Sequence, residues 1–149
     1  MILIATAMAA AAIPAPEQAA LYKAAGASRV GGKWALCAEQ PEPEGVAVDL
    51  YRDLNGDGRP EAVLSESGTF CYGHAGAGYA LLSKQANGGW RLMSSGAGVL
   101  EPLATRGVGG YPDLQIGGPG FCFPVARWNG REYALHRHQY EGRPCRPDR

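Results

Sequence analysis

Glycine and proline interrupt this chain at short intervals, which favours short strands over long helices. The 149 residues include 22 glycines and 11 prolines, and these separate runs rich in valine, leucine, tyrosine, tryptophan and phenylalanine. Glycine and proline are typical of turns, whereas β-branched and aromatic residues are typical of strands. We therefore expect a mainly β (α+β) fold with one N-terminal helix. It would be a small antiparallel sheet, or a partial propeller-like or duplicated β meander.

Local signals give approximate bounds for these elements. A helix is predicted over 16–25, because Pro16 suits the first turn of a helix and Gly26 suits its end. Asn87-Gly88 and Asn129-Gly130 predict two tight hairpins. The predicted strands cover residues 33–37, 46–52, 61–65, 79–84, 90–94, 99–104, 113–116, 123–128 and 132–138.

An acidic loop between two predicted strands has the pattern of a calcium-binding loop. Side-chain or carbonyl oxygens fall at alternate positions, and the predicted ligands are Asp53, Asn55, Asp57, Arg59 through its carbonyl, and Glu61. Gly58 stands where such loops turn sharply. Leu64 occupies the position at which an EF-hand has a bidentate glutamate, which argues against a helix-loop-helix sensor. The alternative is an acidic turn without metal, since Asn-Gly and Asp-Gly favour tight turns by themselves.

The DxNxDGxxE segment resembles the loops of FG-GAP and VCBS-type repeats. These are extracellular modules in which such a loop joins strands of a propeller blade or a small sheet. The resemblance covers residues 53–61 and the apolar residues 62–64, so it implies a calcium loop and not a whole fold. More broadly, the chain from Gly31-Gly32-Lys33-Trp34 to Arg127-Trp128-Asn129-Gly130 is similar to a group of small secreted bacterial proteins of unassigned function.

The N-terminus has the composition of a secretory signal. Residues 1–13 are apolar and alanine-rich, and small-residue triplets such as Ala7-Met8-Ala9 suit signal peptidase. No lysine or arginine precedes this run, so an apolar helix retained in the protein is the alternative. The run is too short to span a membrane. We predict a signal peptide over 1–15, a single calcium-loop β domain over 16–149, and a periplasmic or secreted location without stable membrane insertion after signal cleavage.

The four cysteines, Cys37, Cys71, Cys122 and Cys145, are widely spaced and include no CxxC pair. This spacing argues against a zinc knuckle or a redox motif and favours two structural disulfides in an oxidising compartment. Three pairings are open. We favour Cys37 with Cys71 and Cys122 with Cys145, because residues 142–144 can turn the chain back after the last hairpin. The rival pairing joins Cys71 to Cys122.

The chain also contains a faint internal repeat. Residues 58–64 and 68–72 correspond in order to residues 110–116 and 120–123. Only the first copy has the acidic loop, because residues 105–109 contain no carboxylate, so the pattern predicts one calcium site. Duplication and a chance match between Gly/Pro-rich segments are both open.

Two histidine patterns are the main signals for other chemistry. His74 follows Cys71 in a glycine-rich loop, where a Cys-His nucleophile is conceivable, although an oxidised cysteine is favoured. His136 and His138 alternate on a predicted strand, which places them on one face for metal binding or acid-base chemistry. Surface positions are the more common explanation. A second possible site is a groove lined by Tyr111, Asp113, Phe121 and Phe123, although core packing of these residues is favoured.

Charge adds little about partners. The formal net charge is zero, with eight acids and two arginines in residues 39–66, and six arginines and three acids in residues 121–149. These arginines are interspersed with other residues, so no nucleic-acid partner is expected.

We favour a secreted or periplasmic, non-catalytic module that is stabilised by calcium and binds an envelope protein or glycan. No catalytic residue is assigned, because every recognisable motif is structural. One alternative is an inhibitor of a secreted enzyme that uses residues 71–78 as a plug. Another is a cell-envelope hydrolase that uses Asp113 with His74 or with the pair His136 and His138.

Overall fold

The structure is a computed structural model that describes residues 12–147. The signal peptide predicted for residues 1–15 lies almost wholly outside the described residues. No helix within the described range is long and apolar enough to cross a membrane.

One helix precedes the strands, and three short helical segments lie in later connections. Helix α1 covers Ala15–Ala24, α2 covers Thr69–Tyr72, and 3-10 turns cover Gly73–Ala75 and Val108–Gly110. The strands are β1 (Ser28–Val30), β2 (Lys33–Ala35), β3 (Ala47–Arg52), β4 (Glu61–Ser67), β5 (Ala77–Lys84), β6 (Trp90–Ala97), β7 (Val99–Arg106), β8 (Pro112–Gly117), β9 (Phe123–Trp128), β10 (Tyr133–Tyr140) and β11 (Arg143–Pro144).

The strands form two antiparallel meanders in chain order. The first meander is the sheet β3-β4-β5-β6, and the second meander is β7-β8-β9-β10, to whose outer edge β11 is added. Strands β1 and β2 form a separate hairpin. The antiparallel strands include a curled half-barrel. The predicted mainly β fold with one N-terminal helix is confirmed.

Each strand predicted from the sequence is present within a few residues of its predicted bounds. The Asn87-Gly88 and Asn129-Gly130 turns connect β5 to β6 and β9 to β10, as predicted. The sequence did not indicate β1, β11 or α2. These elements are only two to four residues long, too short for an alternating pattern to emerge.

The faint repeat corresponds to the two meanders. Residues 58–64 contain the start of β4, residues 110–116 contain the start of β8, and each of these is the second strand of its meander. Glu61 and Asp113 therefore occupy equivalent places, each directly after a proline and each with no exposed surface.

The first meander is covered on both faces. On one face, Leu21 and Tyr22 of α1 pack with a layer of side chains from β4 and β5, which are Ala62, Leu64, Ala80 and Leu82. Successive side chains in a strand point to opposite faces, so Val63 and Leu81 lie on the other face. There they form a second core with Leu114 and Trp128 of the second meander. The order of layers is helix, first meander, second meander.

Two disulfides tie peripheral segments to this framework, with the favoured pairing confirmed. Cys37 is joined to Cys71, which links the segment after β2 to α2. Cys122 is joined to Cys145, which links the start of β9 to the end of the described chain. Residues 142–144 turn the chain back as expected, since β11 pairs with the end of β10.

Loss of either disulfide is expected to destabilise the protein, mainly because the unfolded chain gains conformational entropy. Replacing Cys122 and Cys145 together by serine should lower the free energy of unfolding by about 3 kcal/mol. Replacing Cys37 and Cys71 should cost slightly more, because that disulfide closes the longer loop, 34 against 23 residues. Urea denaturation of both variants measures this. Thiol alkylation of the unreduced, denatured wild-type protein would contradict the pairing.

Candidate functional site

The acidic loop, residues 53–61, connects β3 to β4 at the end of the first meander. The hairpin closes where Arg52 pairs with Glu61. Gly56 and Gly58 have φ angles of 79° and 85°, in the left-handed region that glycine adopts at low cost. The two glycines therefore allow the chain to turn twice within the loop, which directs alternate side chains inward.

Asp53 organises the backbone of the acidic loop. Its Oδ1 accepts hydrogen bonds from the N–H groups of Asn55 at 3.2 Å and Gly56 at 2.8 Å. Its Oδ2 accepts one from the N–H of Gly58 at 2.7 Å. The bond from Gly58 is the main reason that the pKa of Asp53 is lowered. Each carboxylate oxygen has a second lone pair, so these bonds do not exhaust the capacity of Asp53 as an acceptor.

Glu61 is a carboxylate with no solvent-exposed surface. Its Oε1 accepts a hydrogen bond from the N–H of Leu54 at 2.7 Å, and its Oε2 accepts one from the hydroxyl of Ser83 at 2.7 Å. Burial raises the pKa of Glu61, and the negative charges of Asp57 and Asp53 raise it further. Within the described residues, no lysine or arginine forms an ion pair with Glu61.

The side-chain amide of Asn55 lies between three carboxylates. One of its two terminal atoms is 3.0 Å from Oδ1 of Asp53, 3.2 Å from Oδ1 of Asp57 and 3.3 Å from Oε1 of Glu61. If this atom is the nitrogen, it donates hydrogen bonds to the carboxylates. If this atom is the oxygen, it meets one carboxylate oxygen each of Asp53, Asp57 and Glu61. These four oxygens repel one another unless positive charge lies among them. Hydrogen bonding within the protein alone favours the orientation in which the nitrogen faces the three carboxylates.

The structure thus brings together the four residues predicted to contribute side-chain ligands, Asp53, Asn55, Asp57 and Glu61. Arg59 was predicted to contribute only its carbonyl, and its side chain instead bonds to Oδ2 of Asp57 at 3.0 Å and to the carbonyl of Lys84 at 3.2 Å. Across residues 12–147, no group of three or more histidine, cysteine, aspartate or glutamate side chains forms a ready metal-binding cluster. In the acidic loop, the carboxylates are directed partly to backbone N–H groups.

The acidic loop is also in contact with the second meander. The hydroxyl of Ser83, which bonds to Glu61, lies 2.9 Å from the hydroxyl of Tyr111. The guanidinium of Arg106 donates to the carbonyls of Leu54 and Gly110. A change in the acidic loop can therefore reach the interface between the meanders.

Asp113, the counterpart of Glu61, has a different environment. Arg127 donates to both of its oxygens, at 2.9 and 2.8 Å. Arg137 donates to Oδ2 at 2.9 Å, and the Thr105 hydroxyl donates at 2.6 Å. Burial alone would raise the pKa of Asp113, but the bonds from Arg127, Thr105 and Arg137 outweigh it and hold the pKa well below its usual range. Asp113 is therefore ionised, and both of its carboxylate oxygens accept hydrogen bonds.

The histidines lie apart from acidic groups. No side-chain hydrogen bond or ion pair joins His74, His136 or His138 to a carboxylate in the described structure. The register of β10 against β9 shifts between Leu135 and Arg137. The simple alternation that placed His136 and His138 on one face is therefore interrupted at His136, as at a β-bulge.

The glycine-rich segment after Cys71 is compact and not an open loop. It forms α2 and the first 3-10 turn, and the N–H of Gly68 bonds to the carbonyl of Gly76 at 2.9 Å. The Tyr72 ring lies so close to Gly78 that a Cβ there would be 2.2 Å from it. Cys71 is disulfide-bonded and therefore is not a thiol nucleophile.

The four residues proposed for an aromatic groove lie in separate places. Tyr111 packs edge-on against Trp128, whereas Phe121 and Phe123 pack against Tyr140. Asp113 is enclosed by its arginines. Tyr111 and Phe123 are partly buried, in agreement with the favoured core packing, but Phe121 is 76% exposed, so that expectation is wrong for Phe121.

Comparisons with protein-family models, with curated proteins and with solved structures found no match for this chain. The resemblance of the acidic loop to FG-GAP and VCBS-type repeats therefore stays a prediction, and the site is interpreted from its own geometry.

Sequence reasoning missed the arginine cluster around Asp113. Arg127 and Arg137 are ten residues apart on neighbouring strands, so only the pairing of β9 with β10 brings them together. The repeat did contain a signal for this cluster. Glu61 and Asp113 each follow a proline at equivalent positions, which indicates two buried carboxylates that each need a hydrogen-bonded or charged partner.

Replacing Asp113 by asparagine should destabilise the protein by about 2 kcal/mol near neutral pH, because charged hydrogen bonds are lost in a buried place. The pKa of Asp113 in the folded protein is below its ordinary value of 3.8. This stabilisation is therefore fully present above pH 3.8 and is lost as the pH falls through the lowered pKa of Asp113. The difference in unfolding free energy between the wild type and the variant should therefore shrink in acid. A constant difference at every pH, or a similar loss in the exposed control Asp49→Asn, would contradict this.

Proposed function

We propose that this protein is a non-catalytic binding module, stabilised by calcium, that acts in the periplasm or outside the cell on an envelope protein or glycan. The observation that supports it most is the convergence of Asp53, Asp57 and Glu61 on the amide of Asn55. Three carboxylates this close repel one another, and the Arg59 guanidinium at Asp57 offsets only part of that repulsion, so protonation or a shared cation would offset the rest.

The comparison between the meanders strengthens the calcium proposal. In the second meander, two arginines compensate the buried charge of Asp113. At the equivalent place in the first meander, Glu61 has only N–H and O–H partners and two negative neighbours. A bound cation would supply at Glu61 the positive charge that Arg127 and Arg137 supply at Asp113. Oxygen ligands in an adaptable loop suit calcium.

Calcium binding would turn the Asn55 amide so that its oxygen faces the carboxylates. Asp53, Asp57 and Glu61 would then contribute one oxygen each, with the carbonyl of Arg59 as a further ligand. The loop has Leu64 where an EF-hand has a bidentate glutamate, so we expect weak binding, with a Kd of about 10⁻⁴ to 10⁻³ M. That range suits the calcium concentrations outside cells.

The role of calcium in this proposal is to hold surfaces in place. The acidic loop joins β3 to β4, and it contacts the second meander through Ser83, Tyr111 and Arg106. A cation that fixes Glu61 would stabilise the hairpin and this contact together. A partner would then meet a preformed surface, which lowers the entropy cost of association.

The non-catalytic part of the proposal is supported by the state of the reactive groups. All four cysteines are in disulfides, and Asp113 has no free role as a base while two arginines and Thr105 bond to it. The two disulfides favour an oxidising compartment such as the periplasm or the extracellular space.

The inhibitor alternative is supported by one observation. Phe70 is 69% exposed and directly precedes Cys71, whose disulfide restrains the segment. An exposed aromatic on a restrained loop can insert into a pocket of a partner. Inhibition of a secreted hydrolase by the wild type but not by Phe70→Ala would favour this alternative. For the hydrolase alternative, turnover of an envelope substrate that is lost with His136→Ala would be required.

Calcium binding can be measured directly by titration calorimetry. We expect one site per chain, and calcium at about 100 times its Kd should stabilise the fold by about 2.7 kcal/mol. Asp57→Asn should abolish both effects. Asp57 is the best position to change, because Asp53 bonds to three loop N–H groups and Glu61 is fully buried.

The matched control is Asp49→Asn, which removes an exposed acid from the adjoining strand β3. It should bind calcium as the wild type does. Absence of calcium heat in the wild type, together with the same melting temperature in chelator and in calcium, would retire the calcium proposal.

The raised pKa of Glu61 predicts how calcium stabilisation depends on pH. The ordinary pKa of a glutamate is 4.5, and the pKa of Glu61 in the folded protein is higher. In chelator, the free energy of unfolding should therefore fall as the pH rises above 4.5 and through the raised pKa of Glu61, because the buried carboxylate becomes charged. Calcium offsets this cost because it favours the ionised carboxylate. The difference in melting temperature between calcium and chelator should therefore grow from acid to neutral pH. A difference that is largest in acid would be inconsistent with Glu61 as a ligand.

A further inference from the structure

A second concave surface lies on the second meander, away from the carboxylates of the acidic loop. We name it the basic groove, and the residues that line it include Arg106, Val108, Arg127, Trp128, Leu135 and His136. Its volume is about 590 Å³, within the range of small-molecule sites. No acidic residue is among the described residues that line it.

The charge around the basic groove is unbalanced. Arg127 and Arg137 both pair with Asp113, so two guanidinium groups share one carboxylate. Arg106 donates only to the neutral carbonyls of Leu54 and Gly110. The carboxylate that Arg127 and Arg137 share is buried beneath the surface, and Arg106 has no carboxylate partner among the described residues. The groove attracts an anion.

The geometry of Arg127 leaves donor capacity for that anion. Its Nε and Nη2 bond to Asp113, and the Asp113 pair holds the guanidinium in a fixed orientation. Nη1 takes part in none of these bonds. A guanidinium has five N–H donors, so the remaining ones can bind a second carboxylate. Because Asp113 already orders the arginine, little side-chain entropy is lost on binding.

The basic groove also exposes aliphatic surface beside its charges. Leu135 is 66% exposed and Val108 is 56% exposed, and both line the groove. A sugar would instead require a ring of hydroxyl partners, often with an exposed aromatic face. The groove has one amide, Asn129, whose oxygen already accepts from the N–H groups of Arg131 and Glu132. The lining therefore favours an apolar group over a glycan.

We propose that the basic groove binds a small aliphatic carboxylic acid, with the carboxylate at Arg127 and Arg106 and the alkyl chain along Leu135 and Val108. This ligand is neither a protein nor a glycan, so the basic groove is a site additional to the surface of the proposed function. Arg127 is held by Asp113 and not by the acidic loop, whereas Arg106 bonds to the carbonyl of Leu54 in that loop, so binding is measured with calcium present.

Octanoate is a suitable probe, titrated into the full chain by calorimetry in the presence of calcium. We expect one saturable site. Octan-1-ol and octylammonium have the same chain but lack the negative charge, so neither should saturate it. Leu135→Asp should weaken octanoate binding about tenfold or more, because it places a carboxylate in the groove and removes apolar surface.

Val99→Asp is the matched control, since Val99 is 60% exposed and does not line the basic groove. It should bind octanoate within about twofold of the wild type, because its charge lies elsewhere and is screened. A second variant, Arg106→Gln, removes a charge but keeps a hydrogen-bond donor, and it should also weaken binding. Leu135→Asp should retain the wild-type melting temperature and the wild-type calcium isotherm, because Leu135 is exposed. Arg106→Gln also loses the bonds to the carbonyls of Leu54 and Gly110, so it tests only the charge at the groove.

Several outcomes would overturn the proposal. These are no saturable binding of octanoate, equal binding of octylammonium, or an equal loss in Val99→Asp. Binding of an acidic peptide without binding of octanoate would overturn it as well and would assign the groove to a protein partner. An intact calcium isotherm with no octanoate binding would reject the groove assignment and leave the calcium proposal standing.

Discussion

A carboxylate without access to water has to be compensated where it lies, and this constraint shapes both meanders. Glu61 and Asp113 occupy equivalent places at the start of the second strand, and neither has exposed surface. Asp113 is compensated by Arg127 and Arg137. Glu61 has two neutral donors and a loop of further carboxylates. The same architectural position is thus compensated by arginines in one meander and by neutral donors in the other, where we propose a cation.

The position of Glu61 gives this difference consequences for the whole fold. Strand β4 lies inside the first meander, with α1 packed on one face and the second meander on the other. Ser83 and Tyr111 continue the contact from Glu61 to Trp128, a member of the core between the meanders. Compensation of one buried charge therefore stabilises a hairpin, a core and an interface. In our proposal, calcium at Glu61 would act through this link on the surfaces that would meet a partner.

Local sequence patterns were sufficient for most of the fold. Alternating apolar residues and Asn-Gly turns located the strands of both meanders, and the turn at residues 142–144 favoured the correct disulfides. The acidic loop was visible because its ligands are close in sequence. The Arg127, Arg137 and Thr105 cluster was not, since it depends on pairing between strands. The shift in register before Arg137 was equally hidden, because no residue type marks it.

The central claim is that calcium compensates Glu61, and a crystal structure from calcium-containing solution, with anomalous difference maps, tests it most directly. The account predicts one anomalous peak enclosed by oxygens of Asp53, Asn55, Asp57 and Glu61, with the carbonyl of Arg59 completing the set. The amide oxygen of Asn55 would face the peak. A map with no peak in the acidic loop, and with the Asn55 nitrogen donating to the three carboxylates, would contradict the account.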